Sequence, residues 1–164
     1  MEVTPFVAKS PLGKAQPSVL AVYCSDHRFR KATIEFLEST HPNTGIDQFV
    51  LPGAIWWVAR LSHLSNSAIR RVVLKNLSPV QDAMKLLIRK HHLSQVVLIG
   101  HQDCAYYKTV YPELSPADAI RAQGKDLVLA RDALAEWSGR ETLTVSGYIA
   151  TFDDAGVVTF QPGM

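Results

Sequence analysis

The stretch QVVLIGHQDC, residues 95–104, decides the fold of this chain. Its first part, Gln95–Gly100, is an apolar run that is typical of a strand buried on both faces of a sheet. Its last part contains side chains that can bind metal. The segment Ser18–Tyr23 (SVLAVY) is a second apolar run, and it also leads directly into a reactive segment, Cys24–Arg28. Two buried strands that end in this way predict a parallel sheet with a site at the carboxyl ends of its strands.

The rest of the chain predicts an alternation of helices and strands. Helices are indicated by apolar residues at helical spacing or by a Ser-Pro start, and strands by short apolar runs between turn residues. The expected helices are Phe29–Ser39, Pro79–His92 with Ser78 as its N-cap, and Ser115–Trp137. The further expected strands are Gln48–Leu51, Thr142–Phe152 and Val157–Phe160. Between Ala54 and Leu77, Ile55–Val58 fits the extension of a strand, whereas Ile69–Leu77 has helical spacing.

These elements predict an α/β fold with a mixed, mainly parallel sheet flanked by helices. The last two strands are joined by Asp153–Gly156, a hairpin turn signal that adds an antiparallel edge. The length of 164 residues suits one domain. We expect an N-terminal arm over residues 1–17 and a single α/β domain over residues 18–164.

Composition narrows the possible functions. The chain has 17 Lys and Arg against 15 Asp and Glu, a net charge of +2, which does not favour binding to nucleic acid or to a membrane surface. The N-terminal segment lacks the apolar core of a signal peptide, and no apolar run is long enough to span a membrane. We therefore expect a cytoplasmic protein, and in reducing surroundings its two cysteines favour metal binding over a disulfide.

Three residues form a candidate metal site. Cys24 follows one predicted strand, and His101 and Cys104 follow another. Taken alone, each motif is more often a buried small side chain or a surface histidine than a ligand. Together they use both cysteines of the chain, and two sulfurs with one nitrogen form a ligand set that zinc favours. We expect one Zn²⁺ per chain, with a fourth tetrahedral position open as in catalytic zinc sites.

Asp26 and Arg28 lie beside Cys24 and have three possible roles. They form an ion pair on a solvated loop, or Asp26 becomes a fourth metal ligand, or Asp26 accepts a hydrogen bond from zinc-bound hydroxide. In the last case Arg28 keeps Asp26 ionised and away from the metal. The sequence alone leaves these alternatives open. The aromatic residues Trp56, Trp57, Tyr106 and Tyr107 are expected in the core or at an interface, and the last two follow Cys104 closely enough to line a pocket.

These motifs resemble those of the β-class carbonic anhydrases. Cys24–Arg28 is similar to the family's Cys-x-Asp-x-Arg motif, and His101–Cys104 is similar to its His-x-x-Cys motif. Pro52-Gly53 and the closing hairpin agree with the same family, so that the likeness spans Ser18–Phe160. The resemblance implies a homodimer or larger assembly. It also implies that zinc-bound hydroxide attacks carbon dioxide, with Asp26 and Arg28 as the catalytic pair.

Three departures from the family pattern bear on function. The Arg-Asn-Ala motif expected after Pro-Gly is replaced by Trp56–Leu61, the glycine expected after the second cysteine is Ala105, and the segment between the two ligand motifs is longer. Two alternatives therefore accompany carbon dioxide hydration. One is hydrolysis of another small linear substrate, carbonyl sulfide or carbon disulfide, and the other is a non-catalytic zinc-binding protein.

Overall fold

A computed structural model describes residues 13, 16–63, 69–138 and 142–164, with the backbone alone within residues 61–78. Strands and helices alternate along the chain through most of its length. In chain order they are β1 (Pro17–Cys24), α1 (His27–Thr40), β2 (Gly45–Leu51), α2 (Ala54–His63), α3 (Ile69–Lys90), β3 (Gln95–His101), α4 (Ala105–Val110), α5 (Pro116–Ser138), β4 (Thr144–Phe152) and β5 (Val158–Pro162).

The described strands form one five-stranded sheet with the order β2-β1-β3-β4-β5. The pairs β1–β2, β1–β3 and β3–β4 are parallel, whereas β4 and β5 form an antiparallel hairpin. The connection after β1 leads outward to β2, and the chain then returns to place β3 on the other side of β1. This reversal leaves a crevice at the carboxyl ends of β1 and β3, the usual position of a ligand site in such sheets.

Alternate residues of the central strands supply two apolar clusters. Leu20 and Val22 of β1 belong to a cluster with residues of α2, α3 and α5, whereas Val19 and Ala21 belong to a cluster with Phe29 and Leu37 of α1. Because successive side chains of a strand point to opposite faces, the two clusters indicate helices on both faces of the sheet. This arrangement explains why β1 and β3 are apolar without alternation.

The predicted fold class is confirmed, and most element positions agree with the sequence interpretation. The five strands and α1 and α5 lie within a few residues of their expected bounds, and the turn at Asp153–Gly156 joins β4 to β5. The expected arm over residues 1–17 lies almost wholly outside the described residues, apart from Gly13, Gln16 and Pro17, and Pro17 already belongs to β1. Among the described residues, no helix is both long and apolar enough to cross a lipid bilayer.

Two expectations between β2 and β3 are wrong. Ile55–Val58 is not a strand but the first half of α2, in which Ala54, Ile55, Val58 and Ala59 are all buried. A short apolar run has the same composition in a buried helix as in a buried strand. The helix predicted to begin after Ser78 begins instead at Ile69, so that Pro79 lies inside α3. Proline is favoured at the first position of a helix because it has no amide hydrogen to donate there. Ser78-Pro79 therefore looks like a helix start although the helix already extends upstream.

Candidate metal centre

The sheet brings the two predicted ligand motifs to the same edge. Strands β1 and β3 are parallel neighbours, with Tyr23 opposite Ile99, so that Cys24 and His101 lie at adjacent strand ends. Cys104 lies three residues after the end of β3 and is the N-cap of α4. The topology therefore positions the three side chains together, as the sequence predicts for neighbouring strands.

The ligand atoms of Cys24, His101 and Cys104 lie within 4.8 Å of one another. The two sulfur atoms are 3.9 Å apart, and both cysteines are free thiols. A disulfide requires sulfur atoms about 2.05 Å apart. Two sulfurs bound to tetrahedral zinc, each about 2.3 Å from the metal, lie about 3.8 Å apart. The observed sulfur–sulfur distance thus fits a shared metal ion and excludes a disulfide in this state.

The imidazole of His101 is oriented as a metal ligand. Its Nδ1 donates a hydrogen bond to the carbonyl oxygen of Gln102 at 2.8 Å, which leaves Nε2 with a free lone pair. Nε2 is buried and has no hydrogen-bond partner among the described residues. Because buried polar atoms are rarely left without a partner, this nitrogen has the environment expected of a metal ligand.

The backbone of His101 is held by Gln123, a residue that the sequence interpretation missed. The buried Gln123 amide donates to the carbonyl oxygen of His101 and accepts from its amide hydrogen, both at 2.9 Å. Gly100 permits this approach, because a Cβ there would lie 2.7 Å from Gln123 Oε1. The glutamine comes from the middle of α5, and no local pattern in the sequence distinguishes it from a surface residue.

The hydrogen bond between the two cysteines shifts their pKa values in opposite directions. A hydrogen bond from Cys104 lowers the pKa of Cys24 to about 4, although burial opposes that shift. The pKa of Cys104 is raised, first by the same hydrogen bond and then by burial. The amide of Gly53 also donates to Cys24 Sγ, at 3.4 Å. A divalent cation neutralises two thiolates, so this donor set fits Zn²⁺ chemically as well as geometrically.

The predicted pair of Asp26 and Arg28 is formed. Asp26 caps α1 by accepting from the backbone amide of Arg28 at 3.0 Å, and the guanidinium donates to both carboxylate oxygens, with Nη2 at 2.6 Å from Oδ2. The hydrogen bond from the Arg28 side chain lowers the pKa of Asp26 to about 2. Asp26 is therefore a carboxylate throughout the neutral range, and it can accept but not donate a hydrogen bond.

Arg28 has a second acidic partner, Asp103, which lies between the two ligands of the second motif. Its Nη1 donates to Asp103 Oδ2 at 3.1 Å, and Nη2 donates to the Asp103 carbonyl oxygen at 3.3 Å. The ammonium group of Lys108 contacts the other carboxylate oxygen of Asp103. We call this chain of alternating charges, Asp26–Arg28–Asp103–Lys108, the Arg28 bridge. It connects the two ligand loops directly.

Another set of polar residues lies on the side of Cys104 that faces α5. Tyr107 donates to Asp126 Oδ2 at 2.8 Å, and Arg60 donates to Asp126 Oδ1 at 2.8 Å. The side chain of Asp126 is only 5% exposed. We call these three residues the Asp126 network. It ties α2, α4 and α5 together, and Tyr107 thereby belongs to the core rather than to a pocket wall.

The aromatic residues near Pro52-Gly53 form a separate cluster. The rings of Trp56, Trp57 and Tyr106 lie 5.2–5.6 Å apart in pairs. Tyr106 packs directly on Gly53, whose φ is +62° and where a Cβ would lie 2.2 Å from the ring. A glycine is thus required at this position by backbone conformation and by close approach. Gly53 connects the aromatic cluster to the Cys24 sulfur.

A cavity of about 270 Å³ lies beside the ligand site at the ends of β1 and β2. It reaches both Cys24 and Asp26. Its remaining wall is a mixture of hydroxyl, amide, cationic and apolar side chains. These are Tyr23, Ser25, Arg30, Gln48 and Val50. Neither Tyr106 nor Tyr107 belongs to this wall, contrary to one possibility raised by their position in the sequence.

Comparison with known proteins finds solved structures with a similar fold. No protein-family model and no curated protein matches the sequence. Among solved structures, the β-carbonic anhydrase CafA of Aspergillus fumigatus is similar with a TM-score of 0.51 at 15% identity, over 92% of this chain and 77% of that one. The β-carbonic anhydrase isoform I of Trichomonas vaginalis has a TM-score of 0.52 at 15% identity, over 94% and 88%.

A third similar structure, one of two tetrameric β-carbonic anhydrases from Sordaria macrospora, has a TM-score of 0.50 at 13% identity, over 89% of this chain and 81% of that one. The chain therefore has the fold of the β-carbonic anhydrases. At these identities the likeness establishes architecture alone. What the site does has to be argued from its own residues.

Proposed function

We propose that this chain binds one zinc ion through Cys24, His101 and Cys104 and catalyses the reversible hydration of carbon dioxide to bicarbonate. The observation that carries the proposal is the buried, unpartnered Nε2 of His101 beside two free sulfurs. A purely structural cluster does not require an unsatisfied nitrogen in the protein interior.

The chemistry divides between the metal and the protein. Zinc supplies a Lewis acid that lowers the pKa of water, although two thiolate ligands cancel its charge and make this effect weaker than with three neutral histidines. Asp26 accepts a hydrogen bond from the attacking nucleophile and orients it. Arg28 keeps Asp26 ionised and directed away from the ligands. Asp26 can therefore orient the nucleophile because Arg28 holds the Asp26 carboxylate in place.

The cavity next to Asp26 supports a small uncharged substrate. Its volume of about 270 Å³ exceeds what a triatomic molecule needs, and Val50 gives it an apolar side. Tyr23 donates to Gln48 Oε1 at 2.5 Å, and both residues line the cavity. Arg30 provides positive charge that attracts an anion such as bicarbonate.

Two alternatives use the same site. A hydrolase of carbonyl sulfide or carbon disulfide needs a narrower entrance, for which the cluster of Trp56, Trp57 and Tyr106 offers bulk. A non-catalytic zinc protein needs no open coordination position. Because the cavity reaches Cys24 and Asp26 without any of these aromatic residues in its wall, carbon dioxide hydration is the function that the geometry favours.

We further propose that the protein forms a homodimer or a larger homo-oligomer in the cytoplasm. Strand β2 is an edge of the described sheet, and Val50 on it is 40% exposed. A free edge with an exposed apolar residue is suited to contact with a second copy. The free thiols fit reducing surroundings. Analytical ultracentrifugation measures the assembly directly, and a monomer at micromolar concentration contradicts this proposal.

The decisive experiment combines metal content with a hydration assay. Purified protein should contain about one zinc per chain and hydrate carbon dioxide, with turnover that rises toward alkaline pH. The substitutions Cys24→Ser, His101→Ala and Cys104→Ser should each remove most of the metal and the activity. His91→Ala is the matched control, because His91 contacts Asp47 and is not one of the proposed ligands. This variant should keep both the metal and the activity.

Each result separates the candidate functions. Full zinc with carbonyl sulfide hydrolysis and no hydration favours the first alternative, whereas full zinc with neither activity favours the non-catalytic protein. Zinc binding that survives the loss of any one of the three ligands overturns the proposed site.

A further inference from the structure

We infer that Asp103 is a positioning residue, which holds Arg28 so that Asp26 stays away from the metal. The inference rests on the proposed zinc site and adds a residue to it. Arg28 donates to Asp26 through Nε and Nη2, and to Asp103 through Nη1 and Nη2. The guanidinium is therefore anchored on two sides, by one acidic residue from each ligand loop.

A single anchor does not fix an arginine. The Arg28 side chain is 45% exposed, and an exposed pair with Asp26 alone has little energy to hold a long flexible side chain in one place. Asp103 changes this, because a planar guanidinium with donors committed on two sides cannot rotate or slide without breaking several hydrogen bonds. Asp26 then follows Arg28, since both of its carboxylate oxygens accept from that group.

The backbone at Asp103 indicates that its orientation is built into the loop. Its φ is +63°, a left-handed conformation that a non-glycine residue adopts at a cost, and Asp and Asn tolerate it better than most. This conformation directs both the carboxylate and the carbonyl oxygen of Asp103 toward Arg28. Lys108, one turn into α4, contacts the remaining carboxylate oxygen and thereby fixes Asp103 from its other side.

The consequence concerns the fourth coordination position. If Asp103 is removed, Arg28 retains only Asp26 as an acidic partner and the pair is free to move together. A carboxylate is itself a zinc ligand, so a mobile Asp26 competes for the position that the reaction needs. Asp103 thus preserves an open coordination position although it does not touch the metal.

Replacing zinc with cobalt(II) gives a readout that does not depend on turnover, because the visible absorption of cobalt changes when a carboxylate enters its coordination sphere. Two variants separate the carboxylate from the backbone. Asp103→Asn keeps the size and the tolerance for positive φ, whereas Asp103→Gly removes the side chain and relieves the backbone. Asp132→Asn, at an exposed pair with Arg131 on α5, is the control.

We expect both Asp103 variants to retain one cobalt per chain, and to show the altered spectrum that Arg28→Ala shows. Hydration should fall about tenfold, the loss that corresponds to one hydrogen bond to a charged group. The control should keep the wild-type spectrum and rate. A wild-type spectrum in both variants, or a change in only one of them, overturns the inference. Failure of the wild-type protein to bind cobalt overturns the metal site and the inference with it, whereas an inactive wild type still allows the spectral test.

Discussion

Two groups of charged residues flank Cys104, and they differ in almost every physical respect. The Asp126 network is enclosed between helices, with the Arg60 side chain 27% exposed and that of Asp126 only 5%. The Arg28 bridge lies at the rim of the site, where Arg28 itself is 45% exposed. Both contain an arginine that is paired with an aspartate. The environment, rather than the residue types, decides what each group does.

On opposite sides of Cys104, a buried charge group supports the fold and an exposed one borders the proposed metal site. A buried charge must keep its partner, since an uncompensated charge is costly, and the Asp126 network therefore holds α2 and α4 against α5. An exposed pair contributes little to stability, and it can be adjusted for function at small cost. Cys104 is thus flanked by the buried Asp126 network, which supports the fold, and by the exposed Arg28 bridge, which can vary at little cost in stability.

The largest effect is expected from Asp126→Ala. This change leaves Arg60 partly buried without its carboxylate and removes the partner of the Tyr107 hydroxyl, and it should destabilise the protein by about 3–5 kcal/mol. Urea unfolding measures the difference. Asp132→Ala breaks an exposed pair on the same helix and should cost less than about 1 kcal/mol. Equal effects of the two changes would contradict the contrast.

Gly53→Ala tests the point at which the aromatic cluster meets the metal ligands. It combines a left-handed φ with a collision against the Tyr106 ring, and it should cost about 3 kcal/mol in unfolding free energy. Zinc affinity should fall as well, because the Gly53 amide donates to Cys24. Gly156→Ala is the matched control: its φ is +78°, but a Cβ there has open space around it. If both changes cost the same, Tyr106 does not constrain the loop.

Gln123→Leu should have an intermediate effect. Leucine has a similar volume but leaves the amide and carbonyl groups of His101 without their buried partner, at a cost of about 2 kcal/mol. Because His101 then loses its support, we also expect weaker zinc binding in a competition assay with a chelator. Gln161→Leu, at an exposed position of the edge strand β5, serves as the reference. Zinc affinity equal to that of the wild type would show that α5 supports the fold but not the ligand.

The smallest expected effect is the loss of stability from the Asp26–Arg28 pair at acidic pH. The pKa of Asp26 is about 2 in the folded protein, below its value of about 3.9 in an unfolded chain. The pair with Arg28 therefore stabilises the protein fully above about pH 4, and this contribution is lost as the pH falls toward 2. In metal-free protein, wild type should exceed Arg28→Gln by less than about 1 kcal/mol at pH 5. The difference should shrink below pH 4, and a difference that stays constant to pH 2 would contradict this account.

The sequence predicts well whatever depends on neighbouring residues. The apolar runs at Ser18–Tyr23 and Gln95–Gly100 correspond to β1 and β3, and the candidate ligands lie at or just after the ends of these strands. The Ser115-Pro116 pair correctly indicates the start of α5, where the Ser115 hydroxyl accepts from the amide of Asp118. The Asp153–Gly156 turn is equally local. In each case a few adjacent side chains determine the backbone.

Elsewhere the deciding partner is distant along the chain. The Ser78-Pro79 pair has the same form as the start of α5, but there the helix is already under way from Ile69. The Arg28 bridge joins residues 75 positions apart, and Gln123 reaches His101 from another helix. A sequence shows that Asp103 is acidic, but only the sheet order brings it to Arg28. Such contacts depend on topology, which local patterns do not determine.

The separation of Cys24 and Cys104 along the chain has a consequence for folding. These residues are 80 positions apart in a chain of 164, so a metal ion held by both closes a loop of about half the molecule. A permanent link over such a length restricts the unfolded chain by about 4.5 kcal/mol of entropy. A zinc ion bound as we propose would be a reversible cross-link, and a chelator would open this loop without breaking a covalent bond of the chain. Bound there, zinc would shorten the search by which β1 and β3 find each other in the unfolded chain.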